Sequence, residues 1–238
     1  MEANRRHQII LVHGAANSSA VWRFWQQELA MLGWITHALD LRGHGTSPMA
    51  DLSTVSMRDY ADDVAQLANQ LSPKPVLIGW SMGGLVALMV AARGLASTCV
   101  ALAPSPPTLQ LDESVSLRSG VFDSREYGIV NGDPMDQPAM PDLDLEERQV
   151  ALSSLGLESR LARDERKRGI IIRDRPCPLL VVTGELDTNW PRQSYAGLHL
   201  PAEFLAVEDC SHWGLVLNRR ALSRLVPIVS DWISRTAS

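Results

Sequence analysis

The feature that most restricts this chain is the pentapeptide Gly79-Trp80-Ser81-Met82-Gly83. It stands between an apolar run, Val76-Leu77-Ile78, and a helix-like stretch from Leu85 to Arg93. The pattern predicts a strand, a sharp turn and a helix, with the serine at the apex. Such a turn is too tight for side chains on either flank, which accounts for glycine at 79 and 83. A third glycine, Gly84, lets the helix start close to the sheet. A strained elbow of this kind lifts the serine hydroxyl clear of the backbone, where a substrate carbonyl can reach it.

The rest of the chain repeats the strand-then-helix rhythm. Strands are predicted at Gln8–Val12, Ile35–Leu39, Val76–Ile78, Thr98–Leu102, Leu179–Thr183 and Glu203–Val207. Most are continuous apolar runs, as expected of strands covered on both faces. Amphipathic segments lie between them. Ser19 to Leu32 carries Val21, Trp22, Trp25, Leu29 and Leu32 on one face, and Gly33 closes it. Ser56 to Leu71 opens on Ser56-x-x-Asp59, a capping box with Asp in the Glu position. Ala221 to Ile233 is periodic, and Pro227 is expected to kink or divide it. The order implies an α/β fold: a doubly wound, mostly parallel six-stranded sheet with helices on both faces.

One connection is far too long. About 75 residues separate Leu102 from Leu179, where a crossover and its helix need about a dozen or somewhat more. The division expected is a core of residues 1–103 and 173–238, with 104–172 inserted as a lid. The insertion opens on Pro104-Ser105-Pro106-Pro107 and has a Pro/Asp/Met-rich middle, Asp133 to Asp144. Two helices follow, at Leu145 to Leu155 and Glu158 to Arg168, and the charges of the second read as a solvated face.

Several function classes drop out. The net charge of −5 leaves no basic surplus for a phosphate backbone, so nucleic acid is not an expected partner. No apolar run approaches the roughly 20 residues that cross a bilayer, so no membrane partner is expected. The polar start, Met1 to Gln8, leads straight into Ile9 without a signal segment, and a cytoplasmic location is expected. Cys99, Cys177 and Cys210 match neither a disulfide framework nor a zinc pattern and read as small core residues. The oligomeric state is left open.

A lone serine hydroxyl is a poor nucleophile and needs a base, which in turn needs an orienting acid. Functional groups on a doubly wound sheet collect at the carboxyl ends of strands. The run Leu179 to Thr183 is followed by Gly184-Glu185-Leu186-Asp187, and Phe204 to Val207 by Glu208-Asp209-Cys210-Ser211-His212-Trp213. The candidate catalytic set is therefore Ser81, Asp187 and His212, with Glu185 and Asp209 ranked behind Asp187 as the acid. Backbone N–H groups of Ala15, after the first strand, and of Met82, after the nucleophile, are the candidate oxyanion donors. His13 reads as a brace of its loop. Trp80, Phe122, Tyr127 and Trp213 are candidate substrate contacts, with Val121, Ile129, Met135 and Met140 as further residues of the lid.

These segments resemble the α/β-hydrolase superfamily over nearly the whole chain. The resemblance rests on Leu11-Val12-His13-Gly14, on Asp40-Leu41-Arg42-Gly43-His44-Gly45-Thr46-Ser47, on Gly79 to Gly84, on Gly184 to Asp187 and on Cys210 to Trp213. It implies a triad in the order Ser, Asp, His, a structural role for the Asp40–Ser47 turn with His44 not catalytic, and a lid at the insertion. Only eight polar residues precede the apolar run that opens at Ile9, so the sheet resembles the trimmed branch of small esterases and hydroxynitrile lyases. The lyases use a lysine near the acid, and neither Lys74 nor Lys167 is placed for that. The Gly-Trp-Ser elbow also resembles that of carboxyl-methyl-ester esterases, over a few residues.

The reading that follows is a serine carboxylesterase acting on a small-molecule ester through an acyl-enzyme, with no metal and no organic cofactor. Acyl transfer or C–C bond hydrolysis would use the same triad. A triad-bearing small-molecule receptor and a catalytically dead interaction protein stand as non-enzymatic alternatives. An aspartate nucleophile, as in epoxide- and halide-processing relatives, is excluded by Ser81.

Overall fold

A computed structural model of the chain describes residues 7–129, 131–174 and 177–237. Most of the polar start, Met1 to Arg6, lies outside them. The strands are β1 (Ile9–Val12), β2 (Thr36–Leu39), β3 (Val76–Trp80), β4 (Thr98–Leu102), β5 (Val121–Phe122), β6 (Glu158–Ser159), β7 (Leu179–Gly184) and β8 (Glu203–Val207). Six of them form one sheet in the order β2-β1-β3-β4-β7-β8, and every pairing in it is parallel. The strand order reverses between β1 and β3. Ligand crevices of open α/β sheets form at such a switch point, beyond the carboxyl ends of the strands.

Successive side chains of a strand point to opposite faces, and the two halves of the core follow that alternation. Ile9 and Leu11 of β1, Ile78 of β3 and Val182 of β7 pack with α1 (Arg23–Met31) and the C-terminal helices α6 (Gly214–Leu217) and α7 (Arg219–Thr236). Ile10, Val12, Leu77 and Val181 pack on the other face with α2 (Met57–Ala68) and α3 (Met82–Ala92). Helix α3 buries Met82 to Leu88, Val90 and Ala91, so it is apolar all round and sits between the sheet and α2. The Ser56/Asp59 capping box is present at the start of α2. All three cysteines are buried.

The segment predicted from Ser19 to Leu32 divides into a 3-10 turn, Ser19–Trp22, and α1. Helix α7 is not divided at Pro227. Its buried stripe, Leu222, Leu225, Val226, Val229, Trp232 and Ile233, runs past the proline on both sides and holds the helix to the body. No helix among the described residues is long and apolar enough to cross a membrane.

Between β4 and β7 lie the antiparallel pair β5 and β6, two residues each, and the helices α4 (Leu145–Ser153) and α5 (Arg160–Arg168). Here one expectation fails. Glu158 and Ser159 are strand residues, and Ser159 caps α5 by accepting from the Ala162 N–H. The charges of this stretch are not a solvated face either. Glu158 and Asp164 are fully buried, Asp164 paired with Arg118 at 2.8 Å.

Candidate active site

Ser81 sits at the bend between β3 and α3 with φ 56° and ψ −118°, a left-handed conformation that a non-glycine residue adopts at a cost of about 1–3 kcal/mol. Its neighbours hold it there. The Ser81 N–H donates to Leu102 O at 2.9 Å, and its carbonyl accepts from Ser105 N at 3.1 Å. A side chain on Gly83 would stand 2.2 Å from Val12 O, and one on Gly79 would stand 2.1 Å from Gly83 O. Both glycines are therefore required by close backbone approach.

Asp187 lies on the loop beyond β7 and His212 on the loop beyond β8. His212 Nδ1 donates to Asp187 Oδ2 at 2.7 Å. The other carboxylate oxygen accepts from the N–H groups of Asn189 and Trp190, at 2.8 and 2.9 Å. Burial acts to raise the Asp187 pKa, but the bonds and charge from His212 and the two N–H groups outweigh it and hold the carboxyl below its usual value. With Nδ1 engaged as a donor, Nε2 carries the lone pair that a general base needs. Trp80 braces this loop: its Nε1 donates to His212 O at 3.0 Å, and its ring lies 5.1 Å from the imidazole. Glu185 and Asp209 are exposed at the surface.

The loop beyond β1 carries Ala15. Its shape comes from His13, whose Nδ1 donates to Gly14 O at 2.8 Å while Nε2 accepts from Leu41 N at 3.2 Å. Burial, then the nearby His44, lowers the His13 pKa to about 4, so the ring stays neutral in this bracing role. The Met82 N–H is in the first turn of α3 and has no acceptor within its own helix.

Sequence reasoning missed the clamp on this loop. Glu158 Oε2 accepts from the Ala16 N–H at 2.9 Å, Gly156 N donates to Ala16 O at 2.9 Å, and Ser154 Oγ donates to Asn17 Oδ1 at 2.7 Å. Three bonds thus run from the 104–172 segment to the loop that holds Ala15. Glu158 also accepts from Tyr60 OH at 2.5 Å and from the Ser159 N–H at 2.7 Å, with His44 Nε2 3.5 Å away. Burial opposes ionisation of this carboxyl, yet His44 and Tyr60 bring its pKa down to about 2. A second acid of the segment, Asp142, accepts from the Ser211 N–H at 3.1 Å and so holds the His212 loop.

Ser81, His212 and Ala15 share the wall of one cavity of about 170 Å3. Trp80, Tyr127 and Trp213 line it too, as does Ile129. Phe122 does not. It stands behind Tyr127, ring centroids 5.5 Å apart, and faces a separate surface pocket. Met140 is buried in the core and Met135 is exposed. Asn17, Arg166 and Trp190 are wall residues that sequence reasoning missed. Trp190 had a signal, three residues beyond Asp187. Arg166 had none within a run of charges. Among the described residues no group of His, Cys, Asp and Glu side chains is arranged to hold a metal ion.

Residues 9–225 match the model of the alpha/beta hydrolase family. The chain belongs to that family. A pimeloyl-[acyl-carrier protein] methyl ester esterase of Yersinia pseudotuberculosis is 30% identical over 203 residues, covering 81% of this chain and 71% of the relative. Among solved structures, polyneuridine aldehyde esterase superposes with a TM-score of 0.74 at 17% identity, over 95% of this chain and 100% of that one. A methylesterase from Arabidopsis gives 0.74 at 18% identity, with the same coverage. At these identities the structural likeness speaks for the fold.

Proposed function

We propose that this α/β-hydrolase cleaves carboxylic esters through a covalent acyl-enzyme on Ser81. The observation that carries the reading is the 2.7 Å hydrogen bond to buried Asp187 from His212, which shares the wall of one cavity with the strained Ser81 elbow. Ser81 Oγ attacks the ester carbonyl carbon while His212 Nε2 takes its proton. Asp187 keeps the imidazole in the right tautomer and stabilises the imidazolium. The N–H groups of Ala15 and Met82 receive the negative charge that develops on the carbonyl oxygen. The tetrahedral intermediate then expels the alcohol, which leaves with the proton from His212. Water attacks the acyl-serine with His212 again as base, and collapse returns the proton to Ser81 and releases the acid. Residues 104–172 act as a cap over this site.

The Yersinia relative's name makes methyl esters of acyl chains the first substrates to try. The test is turnover of p-nitrophenyl and methyl esters by the purified chain and by Ser81→Ala. Loss of turnover in the variant supports the reading, and equal turnover by both proteins refutes it. Added alcohol separates hydrolysis from acyl transfer by whether a new ester accumulates.

A further inference from the structure

Helix α5 carries four arginines, and three of them are matched. Arg160 and Arg163 pair with Glu126, and Arg168 pairs with Glu113. Arg166 differs. Among the described residues it has no ion-pair partner. One Nη donates to Tyr127 OH at 2.9 Å, the other reaches Ser105 Oγ only at 3.5 Å, and Nε is buried without an acceptor. A guanidinium offers five N–H donors, so most of its capacity is unused. Its position is unusual as well. Arg166, Tyr127 and Trp190 line the cavity of Ser81 and His212 and also a neighbouring cavity of about 270 Å3, to which Arg163 and Lys167 contribute. Glu158 acts on Arg166 at longer range, but its oxygens are already engaged by Ala16, Tyr60 and Ser159.

A partly buried cation without a counterion is costly to keep in a cavity wall unless something pairs with it. From the Arg166 guanidinium facing the Ser81 cavity without an acid, we infer a subsite for a second, ionised carboxylate of the substrate, which makes half-esters of dicarboxylic acids the preferred class. A carboxylate matches the flat donor edge of a guanidinium and its single charge. A phosphate dianion would leave one negative charge unmatched beside the ionised Glu158. The inference rests on the ester-hydrolase reading and deepens it.

The experiment compares monomethyl esters of straight-chain dicarboxylic acids with methyl alkanoates of equal length at pH 8, for the wild type, Arg166→Met and Arg166→Lys. At the best chain length the wild type is expected to prefer the half-ester at least tenfold in kcat/KM, mainly through KM. Arg166→Met should cut that preference at least tenfold, and Arg166→Lys should restore part of it. A wild type that favours the neutral ester at every length overturns the subsite, as does a preference unchanged in Arg166→Met. Methyl esters of ω-phosphono acids form the third arm, and a stronger preference for them refutes the carboxylate assignment. Calorimetric titration of Ser81→Ala with the half-esters, with and without Arg166→Met, reads the subsite without turnover. Hydrolysis without charge preference sinks the subsite alone. Tight, Arg166-dependent binding with no hydrolysis by the wild type sinks the esterase reading alone.

Discussion

The sheet body and the 104–172 segment are built on opposite rules. The body places its functional groups by backbone pairing: Ser81, Asp187 and His212 each follow a parallel strand of one sheet, and apolar side chains fill both faces. The segment has two-residue strands and short helices, and it holds on by carboxylates, one fully buried (Glu158) and one half-buried (Asp142). Glu158 reaches the Ala15 loop and Asp142 reaches the His212 loop. The difference teaches that the segment belongs to the scaffold of the candidate site. Its Glu158 fixes the backbone next to Ala15, the candidate oxyanion donor.

The largest effect should come from the body. Asp187→Asn keeps the shape but lets the imidazole take the wrong tautomer, and kcat should fall by about four orders of magnitude with KM little changed. Steady-state kinetics on a p-nitrophenyl ester reads this. Gly83→Ala comes next, because its Cβ would meet the carbonyl oxygens of Val12 and His13, at 2.2 and 2.3 Å, which are backbone and cannot swing away. A loss of about 3 kcal/mol or more is expected in denaturant unfolding, in line with forcing backbone into strain. An alanine tolerated there would break the claim that the elbow is fixed by close approach.

Glu158→Gln tests the segment's side of the comparison. The variant keeps one acceptor but turns the other end of the side chain into a donor facing groups that themselves donate. A loss of about 1–3 kcal/mol is expected, together with a drop in kcat that exceeds the change in KM. The pH dependence has a definite sign. The folded pKa of Glu158 lies at about 2, below its ordinary 4.5, so its stabilising share is present above pH 4.5 and is lost as pH falls toward 2. Burial acts to lower the His44 pKa, but the same carboxylate outweighs it and raises it, so His44 works the other way, and its share fades as pH climbs above 6.5. Thermal melts from pH 6 to pH 3 should therefore fall more steeply for the wild type than for Glu158→Gln. Parallel curves would remove Glu158 from the account. At the small end, a Cβ on Gly132 meets nothing within 4 Å, so Gly132→Ala should shift stability by no more than about 0.5 kcal/mol.

The body was legible in the sequence because its rules are local. Apolar runs mark most of its strands, and the acid and histidine lie on the loops just beyond two of them. The segment was legible only in outline. Glu158 looks like the first charge of a polar helix, and nothing along the chain shows that Ala16, 142 residues earlier, supplies the N–H that justifies its burial. Arg166 is hidden the same way, because its lack of an acid partner exists only in three dimensions. Pro227 does not divide α7, for the converse reason. A helix-breaking signal is local, while the apolar stripe that holds α7 together spans both sides of it.

The central claim is that Ser81, His212 and Asp187 act as one relay. Labelling with a fluorophosphonate, read by peptide mass spectrometry, tests it most directly. The account predicts a single adduct on Ser81 in the wild type, with labelling slowed at least a thousandfold in His212→Ala. An adduct on another residue, or labelling of Ser81 at the same rate without the imidazole, would contradict it.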